Sequence, residues 1–386
     1  MTLEKSTSFW SELQLDLKEI KSQNLFRSLY PFPRPTKLID FSSNDYLGLS
    51  QHPEVIQSTI AALSRWGTGS GASRLLSGNL KIHTDLEKEI AQFKKEERAT
   101  VFSSGYLANL GILSSLTGEK DLILLDRLNH ASLFDGARLS KATWRVYPHR
   151  NLKELERLLI KASLFQKKFV VTDAYFSMDG DVAPLDQLFQ ICKRHRAILV
   201  IDEAHSTGIF GKSGRGLTEH FCLEGKIPVV MGTLSKALGS AGGFVVGKNL
   251  LKKTLNNFCR PFIFTTAPSP AASAAALAAL RLIKKSSALR EKLWENVKFL
   301  RGTLNEAGFD LMDSEGPIIP IQIGDSAKTL HLRDKLKREG FVVSAIRPPT
   351  VPKGTDRLRL SVSSTHSRGQ LESFVQAIKK TRQGSR

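Results

Sequence analysis

Cysteine is scarce in this 386-residue chain: Cys192, Cys222 and Cys259 are the whole complement. An odd number of cysteines without metal-ligand spacing argues against a disulfide framework or a zinc site, and a reducing cytoplasm is the expected setting. Long apolar runs are also missing. No stretch approaches the length of a membrane span, and the N-terminus Met1-Thr2-Leu3-Glu4-Lys5-Ser6 is polar where a secretion signal is apolar, so no membrane insertion is expected. Acidic residues are in deficit: 37 Asp and Glu face 56 Lys and Arg, a formal net charge of +19. Such a chain attracts anions, among them phosphates, coenzyme A, acidic carrier proteins and nucleic acid. Its lysines are scattered and no basic block stands beside aromatics, so most of the excess reads as solvated surface. A non-catalytic nucleic-acid-binding protein is the remote alternative, and no nucleic-acid partner is expected.

What is present is enough apolar material, 41% of residues, to bury a sizeable core. The length suits a large domain with a smaller companion. The expected division is an N-terminal helical arm over 1–45, a large α/β domain over 46–270 and a small α+β domain over 271–386. Trp10, Leu13, Leu17 and Ile20 fall at helical spacing before the turn Tyr30-Pro31-Phe32-Pro33-Arg34-Pro35, which predicts an amphipathic arm packed on the body. Thr84-Asp85-Leu86-Glu87 reads as a capping box opening a helix with Leu86, Ile90 and Phe93 on one face. Short apolar runs at 100–102, 121–125, 169–172, 197–201 and 228–231 alternate with helix-like stretches, the pattern of a mostly parallel sheet buried on both faces. An alanine-rich helix up to Leu280 follows, then an amphipathic helix through Leu289, Leu293, Val297, Leu300 and Leu304 that ends near Gly308. Strands at 318–323, 341–346 and 357–362, a helix around Leu332 and Leu336, and a last helix complete the small domain.

Ligands of parallel sheets gather at the carboxyl ends of strands, and most of the polar residues of interest sit there. Asp202 ends the run Ala197-Ile198-Leu199-Val200-Ile201, and His205 follows it. Lys236 lies in Val230-Met231-Gly232-Thr233-Leu234-Ser235-Lys236-Ala237-Leu238-Gly239, a segment poor in other charges. An acid at a strand end and a partly buried lysine suit pyridoxal phosphate, with the lysine carrying the cofactor as a Schiff base and the acid keeping the pyridine nitrogen protonated. Thr233 would hold the phosphate, and Ser235 would either do so too or simply shape the turn. The phosphate would also be cradled by Ser103-Ser104-Gly105-Tyr106-Leu107-Ala108-Asn109, where a strand gives way to a helix N-terminus. Arg359, on the alternating strand Asp356-Arg357-Leu358-Arg359-Leu360, is the expected carboxylate clamp, although a solvated arginine pair on an outer face is a fair competitor. Arg347 opens a proline-stiffened loop suited to contacting substrate.

In order and spacing, several segments resemble the α-oxoamine synthases, pyridoxal phosphate enzymes of the aspartate aminotransferase fold. They are Ser42-Ser43-Asn44-Asp45-Tyr46-Leu47-Gly48-Leu49, Gly69-Ser70-Gly71-Ala72-Ser73-Arg74, Asp126-Arg127-Leu128-Asn129-His130-Ala131-Ser132, Phe176-Ser177-Met178-Asp179-Gly180-Asp181, Asp202-Glu203-Ala204-His205 and Ile346-Arg347-Pro348-Pro349-Thr350-Val351-Pro352. The resemblance runs from about Leu25 to the C-terminal helix and implies a fold type I enzyme. It implies Lys236 as the Schiff-base lysine, Asp202 at the pyridinium nitrogen, and His205 and Ser177 near the ring's phenolic oxygen. Gly105, Tyr106 and Thr233 would hold the phosphate, and His130 would stack on the ring and touch substrate. Lys236, His130, Asp202 and His205 would be the catalytic set. The family's site lies at a homodimer interface, where Thr265 or Thr266 reaches the neighbouring phosphate. Arg27, Asn44, Arg347, Thr350 and Arg359 fall where substrate is contacted. Synthases that use glycine tend to carry threonine at the position of Ser73, so serine leaves room for the methyl of alanine. The Arg347 loop resembles that of the members serving biotin synthesis, which implies L-alanine and a pimeloyl thioester, on coenzyme A or a carrier protein, as substrates. A glycine-using relative such as the aminoketobutyrate ligase is the alternative. The connection from Arg34 to Ser42 is shorter than the hairpin relatives often have.

Overall fold

The apolar runs become strands because alternate residues bury on opposite faces of one sheet. The computed structural model describes residues 8–29, 31–32 and 36–383; the polar N-terminus and the start of the short connection at Arg34 lie outside them. The strands are β1 (Ile39–Asp40), β2 (Arg98–Phe102), β3 (Leu122–Asp126), β4 (Thr143–Tyr147), β5 (Lys168–Asp173), β6 (Ile198–Asp202), β7 (Val229–Thr233), β8 (Gly243–Gly247), β9 (Ile318–Gln322), β10 (Phe341–Val342), β11 (Ser344–Ile346) and β12 (Arg357–Ser361). Seven of them form the central sheet in the order β2-β8-β7-β6-β5-β3-β4. Its pairs are parallel except those that β8 makes with β2 and β7. Val170, Leu199, Ile201, Val230 and Val246 pack into one core, and Val171, Val200, Met231 and Val245 into another on the opposite face. The second core is closed by Ala108, Ile112 and Leu113 of the helix Gly105–Leu116 and by Leu133 and Ala137 of the helix Ala131–Leu139.

Two strands of this sheet are absent from the expected runs. β4 is an edge strand with four of its five residues exposed, so it carries no apolar run, as befits an edge kept polar against mispairing. β8 has three apolar residues between glycines and resembles a turn in sequence. The expected strand over 341–346 is two strands: β10 pairs in parallel with β1, and β11 pairs antiparallel with β12, which also pairs with β9. The helices Ala288–Glu306, Ser326–Arg338 and Arg368–Gln383 accompany these C-terminal strands. The alanine-rich helix Pro270–Lys285 packs on the helices Pro53–Trp66 and Lys81–Lys94.

Two local expectations are corrected. The helix containing Thr84 begins at Lys81, and at its start the Leu80 N–H donates to His83 Nδ1 at 3.2 Å while the His83 N–H donates to the Leu80 carbonyl at 3.0 Å. Glu87 is unavailable for capping because it is buried and bound by Arg74, by Lys252 and by the Val101 N–H. The N-terminal helix Phe9–Ser22 forms, but none of its residues is buried and Trp10 is 74% exposed. Its apolar stripe stays largely open, with Leu17 51% exposed. After the helix the chain is fastened to the body where Arg347 donates to the Asn24 carbonyl and Arg27 to Thr350 Oγ1 at 3.3 Å.

Candidate active site

Four parallel strands end in polar residues at the same edge of the sheet: Asp126 on β3, Asp173 on β5, Asp202 on β6 and Thr233 on β7. Asp202 is buried, with Oδ1 accepting the Ala204 N–H at 2.7 Å and Oδ2 accepting Asn109 Nδ2 at 2.7 Å. Asn109, one turn into the helix Gly105–Leu116, also donates to Ser132 Oγ at 2.9 Å, and that hydroxyl meets His130 Nδ1 at 2.7 Å. Asp173 lies directly beside Asp202 in the sheet register. Its Oδ2 accepts the His130 backbone N–H at 3.0 Å, and its Oδ1 is buried with no partner. Burial and the neighbouring Asp202 charge push the Asp173 carboxyl well up, against the pull of Lys236 and the His130 N–H.

Lys236 opens onto a cavity of about 200 Å³ that Asp202, Asp173, His130 and His205 also line. Burial pushes its ammonium down to about 8, and the Asp202 and Asp173 carboxylates recover only part of the shift. A neutral amine is thus far more accessible at Lys236 than on a surface lysine. His205 is buried and held well below the usual imidazole range by burial and by the Lys236 and Arg359 charges. His130 lines the cavity with its ring partly enclosed while the residue keeps some surface open to solvent. Desolvation lowers its pKa and Lys236 adds to this, with Asp202 and Asp135 opposing.

At the other end of the cavity, Ser104 caps the helix Gly105–Leu116 by accepting the Leu107 N–H at 3.1 Å, so the Gly105 and Tyr106 amides are left at a positive helix end. Thr233 Oγ1 and Ser235 Oγ, 2.8 Å apart, face the same space. The approach of β8 to this helix end depends on Gly243, where a Cβ would lie 2.6 Å from Gly105 Cα.

The cavity brings together Gly105, Tyr106, His130, Asp202, His205, Thr233 and Lys236. The other expected residues lie around it. Arg359 is buried, as is Arg357, so the arginine pair is not a solvated outer face. Arg359 donates from Nε to the Ser177 carbonyl at 2.5 Å, from one terminal nitrogen to Ser361 Oγ at 2.9 Å and from the other to Asn44 Oδ1 at 3.1 Å. Ser73 and Thr266 meet in a β-bridge, and the Thr266 carbonyl accepts Ser103 Oγ at 3.2 Å; Thr265 precedes them on this rim, half-buried. Arg27, Arg347 and Thr350 form a separate, more open group. Sequence reasoning passed over Asn109, Ser132, Asp173 and Tyr46 as individual site residues. Asp173 ends a strand just as Asp202 does, and the same signal would have found it.

A mostly parallel sheet with a lysine and an acid gathered at its strand ends, followed by an antiparallel C-terminal unit, defines a fold type I pyridoxal phosphate enzyme. Residues 36–378 match the family of class I and II aminotransferases, and the chain belongs to it. Within that family, the chain is 41% identical over 374 residues to the 8-amino-7-oxononanoate synthase of Thermoanaerobacter pseudethanolicus, covering 94% of this chain and 95% of that protein. It is 44% identical over 377 residues to 8-amino-7-oxononanoate synthase 2 of Bacillus subtilis, covering 96% of each. Among solved structures, serine palmitoyltransferase from S. paucimobilis, in a form with bound PLP, superposes with a TM-score of 0.92 at 30% identity, covering 98% of this chain and 99% of that one.

Proposed function

We propose that this chain catalyses the decarboxylative condensation of L-alanine with a pimeloyl thioester, giving 8-amino-7-oxononanoate, free thiol and carbon dioxide. The observation that carries this reading is one cavity lined by both Lys236 and Asp202, in a chain matched over nearly its full length by synthases of that product. Pyridoxal phosphate is the cofactor, and the residues present fit it. The helix end at Gly105 and Tyr106, with the Thr233 and Ser235 hydroxyls, suits a phosphate. The buried Asp202 suits a cationic ring nitrogen, and Asp173 Oδ1 and Asn109 Oδ1 lie buried without partners in residues of the same lining. When bound, the cofactor supplies an aldehyde that captures amines and a protonated ring that draws electrons from the α-carbon.

The chain's own residues do the rest. Asp202, fixed by Ala204 and Asn109, would hold the ring nitrogen in its protonated form. The remaining N–H groups of Arg359 grip the alanine carboxylate. Lys236 Nζ, as a free amine in the cavity, would take the α-proton, and its lowered pKa suits it to act as a base near neutrality. His130 Nδ1 accepts the Ser132 N–H at 3.3 Å, so Nε2 carries the ring proton and donates to the thioester oxygen as charge builds there. The α-carbon would then bond to the thioester carbonyl carbon, the C–S bond would break, and the departing thiolate would take a proton from solvent. The carboxylate would leave as carbon dioxide, its bonding pair would stay on the α-carbon, and the proton held by Lys236 Nζ would return to that carbon. Ser73 would leave room for the methyl of alanine, Ser177 would lie near the cofactor's phenolic oxygen, and Arg27, Arg347 and Thr350 would contact the acyl substrate. Thr265 and Thr266 reach the partner's phosphate in a homodimer. No helix among the described residues is long and apolar enough to cross a membrane, and the cytoplasm is the proposed location.

The test offers purified protein alanine, serine or glycine with pimeloyl-coenzyme A, pimeloyl carrier protein or acetyl-coenzyme A, and follows thiol release and product mass. Alanine with a pimeloyl donor is expected to react. Turnover of glycine with the acetyl donor, and none of alanine with either pimeloyl donor, would overturn the assignment.

A further inference from the structure

Tyr46 is buried against the site residues His205 and Asn44 and has no role in the proposed chemistry. It is fully buried, and its hydroxyl lies 2.7 Å from His205 Nδ1 and 3.3 Å from Asn44 Oδ1. Burial pushes the phenol up to about 12, so it keeps its proton, although the Arg359 guanidinium beside it pulls the other way. A phenol has one proton to place and an oxygen that accepts. The surroundings decide where that proton goes. Arg359 carries only donors, so it stands on the accepting side of the Tyr46 oxygen. Asn44 Oδ1 already accepts an Arg359 N–H at 3.1 Å and is the more distant candidate. His205 Nδ1 is the short contact.

We propose that Tyr46 is a positioning residue that donates its proton to His205 Nδ1 and thereby fixes the imidazole as the tautomer with its proton on Nε2. His205 is neutral near physiological pH, because burial and the Lys236 and Arg359 charges disfavour the cation. A neutral imidazole has one donor and one acceptor, and the hydrogen bond at one nitrogen dictates the state of the other. Nε2 makes no hydrogen bond within the described protein, while the ring lines the cavity. It therefore offers a hydrogen bond to an anionic oxygen there, and a phenolate is the class of group that fits. Were Nδ1 protonated instead, Nε2 would turn a lone pair toward that oxygen and repel it. One hydroxyl thus links the carboxylate clamp to the histidine on the cofactor side.

The role of Nε2 rests on the cavity receiving pyridoxal phosphate, whereas the tautomer belongs to the chain alone and is read in cofactor-free protein as well. The experiment uses full-length protein labelled with ¹⁵N-histidine, with long-range ¹H–¹⁵N spectra recorded with and without pyridoxal phosphate. The His205 signal is identified by its loss in His205→Asn. Wild-type protein should show Nε2 protonated and Nδ1 bare in both states. Tyr46→Phe should melt close to wild type, show a mixed His205 tautomer, and bind pyridoxal phosphate about tenfold more weakly, the loss of one net hydrogen bond. Nδ1 protonated in the wild type overturns the proposal whether or not the variant folds. So does a Tyr46→Phe protein with unchanged tautomer and cofactor affinity. Failure to bind pyridoxal phosphate at all, with the wild-type tautomer as expected, would count against the proposed function instead.

Discussion

At the scale of single residues, the site works by placing one amine between two acids. Lys236→Ala removes both the covalent anchor and the base, so the variant should lose the yellow colour of lysine-bound cofactor and at least about 1,000-fold in kcat; an absorbance spectrum and a single-turnover assay decide this. Retention of the colour would mean that another amine carries the cofactor. Asp202 and Lys236 were legible from sequence because each interrupts an otherwise apolar context. Asn109 was not, because an asparagine inside a helix-opening motif reads as ordinary helix surface until Asp202, 93 positions away in sequence, is seen to accept its N–H. Tyr46 escaped for the same reason: an aromatic residue in Asp45-Tyr46-Leu47 reads as core, and it is core except for its hydroxyl.

At the scale of elements, the helix end that faces the phosphate depends on how closely β8 runs beside it. Gly243→Ala should drive a Cβ into Gly105 Cα, displace the helix start, and weaken pyridoxal phosphate binding at least about tenfold, consistent with overpacking costs of about 1–3 kcal/mol; equilibrium titration of the cofactor measures it. A second element-level contact is His149, which bridges Asp126 at 2.9 Å and Asp181 at 2.7 Å and so ties the end of β3 to the turn after β5. Burial disfavours its charge, but the two carboxylates outweigh burial and raise its pKa from 6.5 to about 9. A raised folded-state pKa means that the stabilisation is complete below 6.5 and is lost as pH rises through about 9. The melting-temperature gap between wild type and His149→Gln should therefore be widest below pH 6.5 and close by pH 10, and a gap independent of pH would dismiss this role. The parallel strands were readable because burial on both faces makes each a continuous apolar run. β4 lacked that run as an edge strand, β8 was too short between its glycines, and the split at Val343 depends on two different partner strands that no local pattern announces.

At the scale of the whole molecule, the net charge of +19 acts on encounter rather than on chemistry. Attraction over the protein surface is screened beyond about 10 Å at 0.1 M salt. For pimeloyl-coenzyme A, kcat/KM should fall several-fold between roughly 0.02 and 0.2 M sodium chloride, while a neutral short thioester of pimelic acid monomethyl ester should change little. Equal salt dependence for both donors would remove charge steering from the account.

Arg359 reaches from β12 to the Ser177 carbonyl and Asn44, so the carboxylate clamp is also a staple between the C-terminal unit and the loops that follow β5 and β1. Its guanidinium is immobilised before any ligand arrives, and binding an amino acid costs little further side-chain entropy. The same rigidity makes the site intolerant of amines without a carboxylate. Such a molecule would seal the remaining guanidinium N–H groups away from water with nothing to accept them, and could not recover that loss by letting the arginine swing aside.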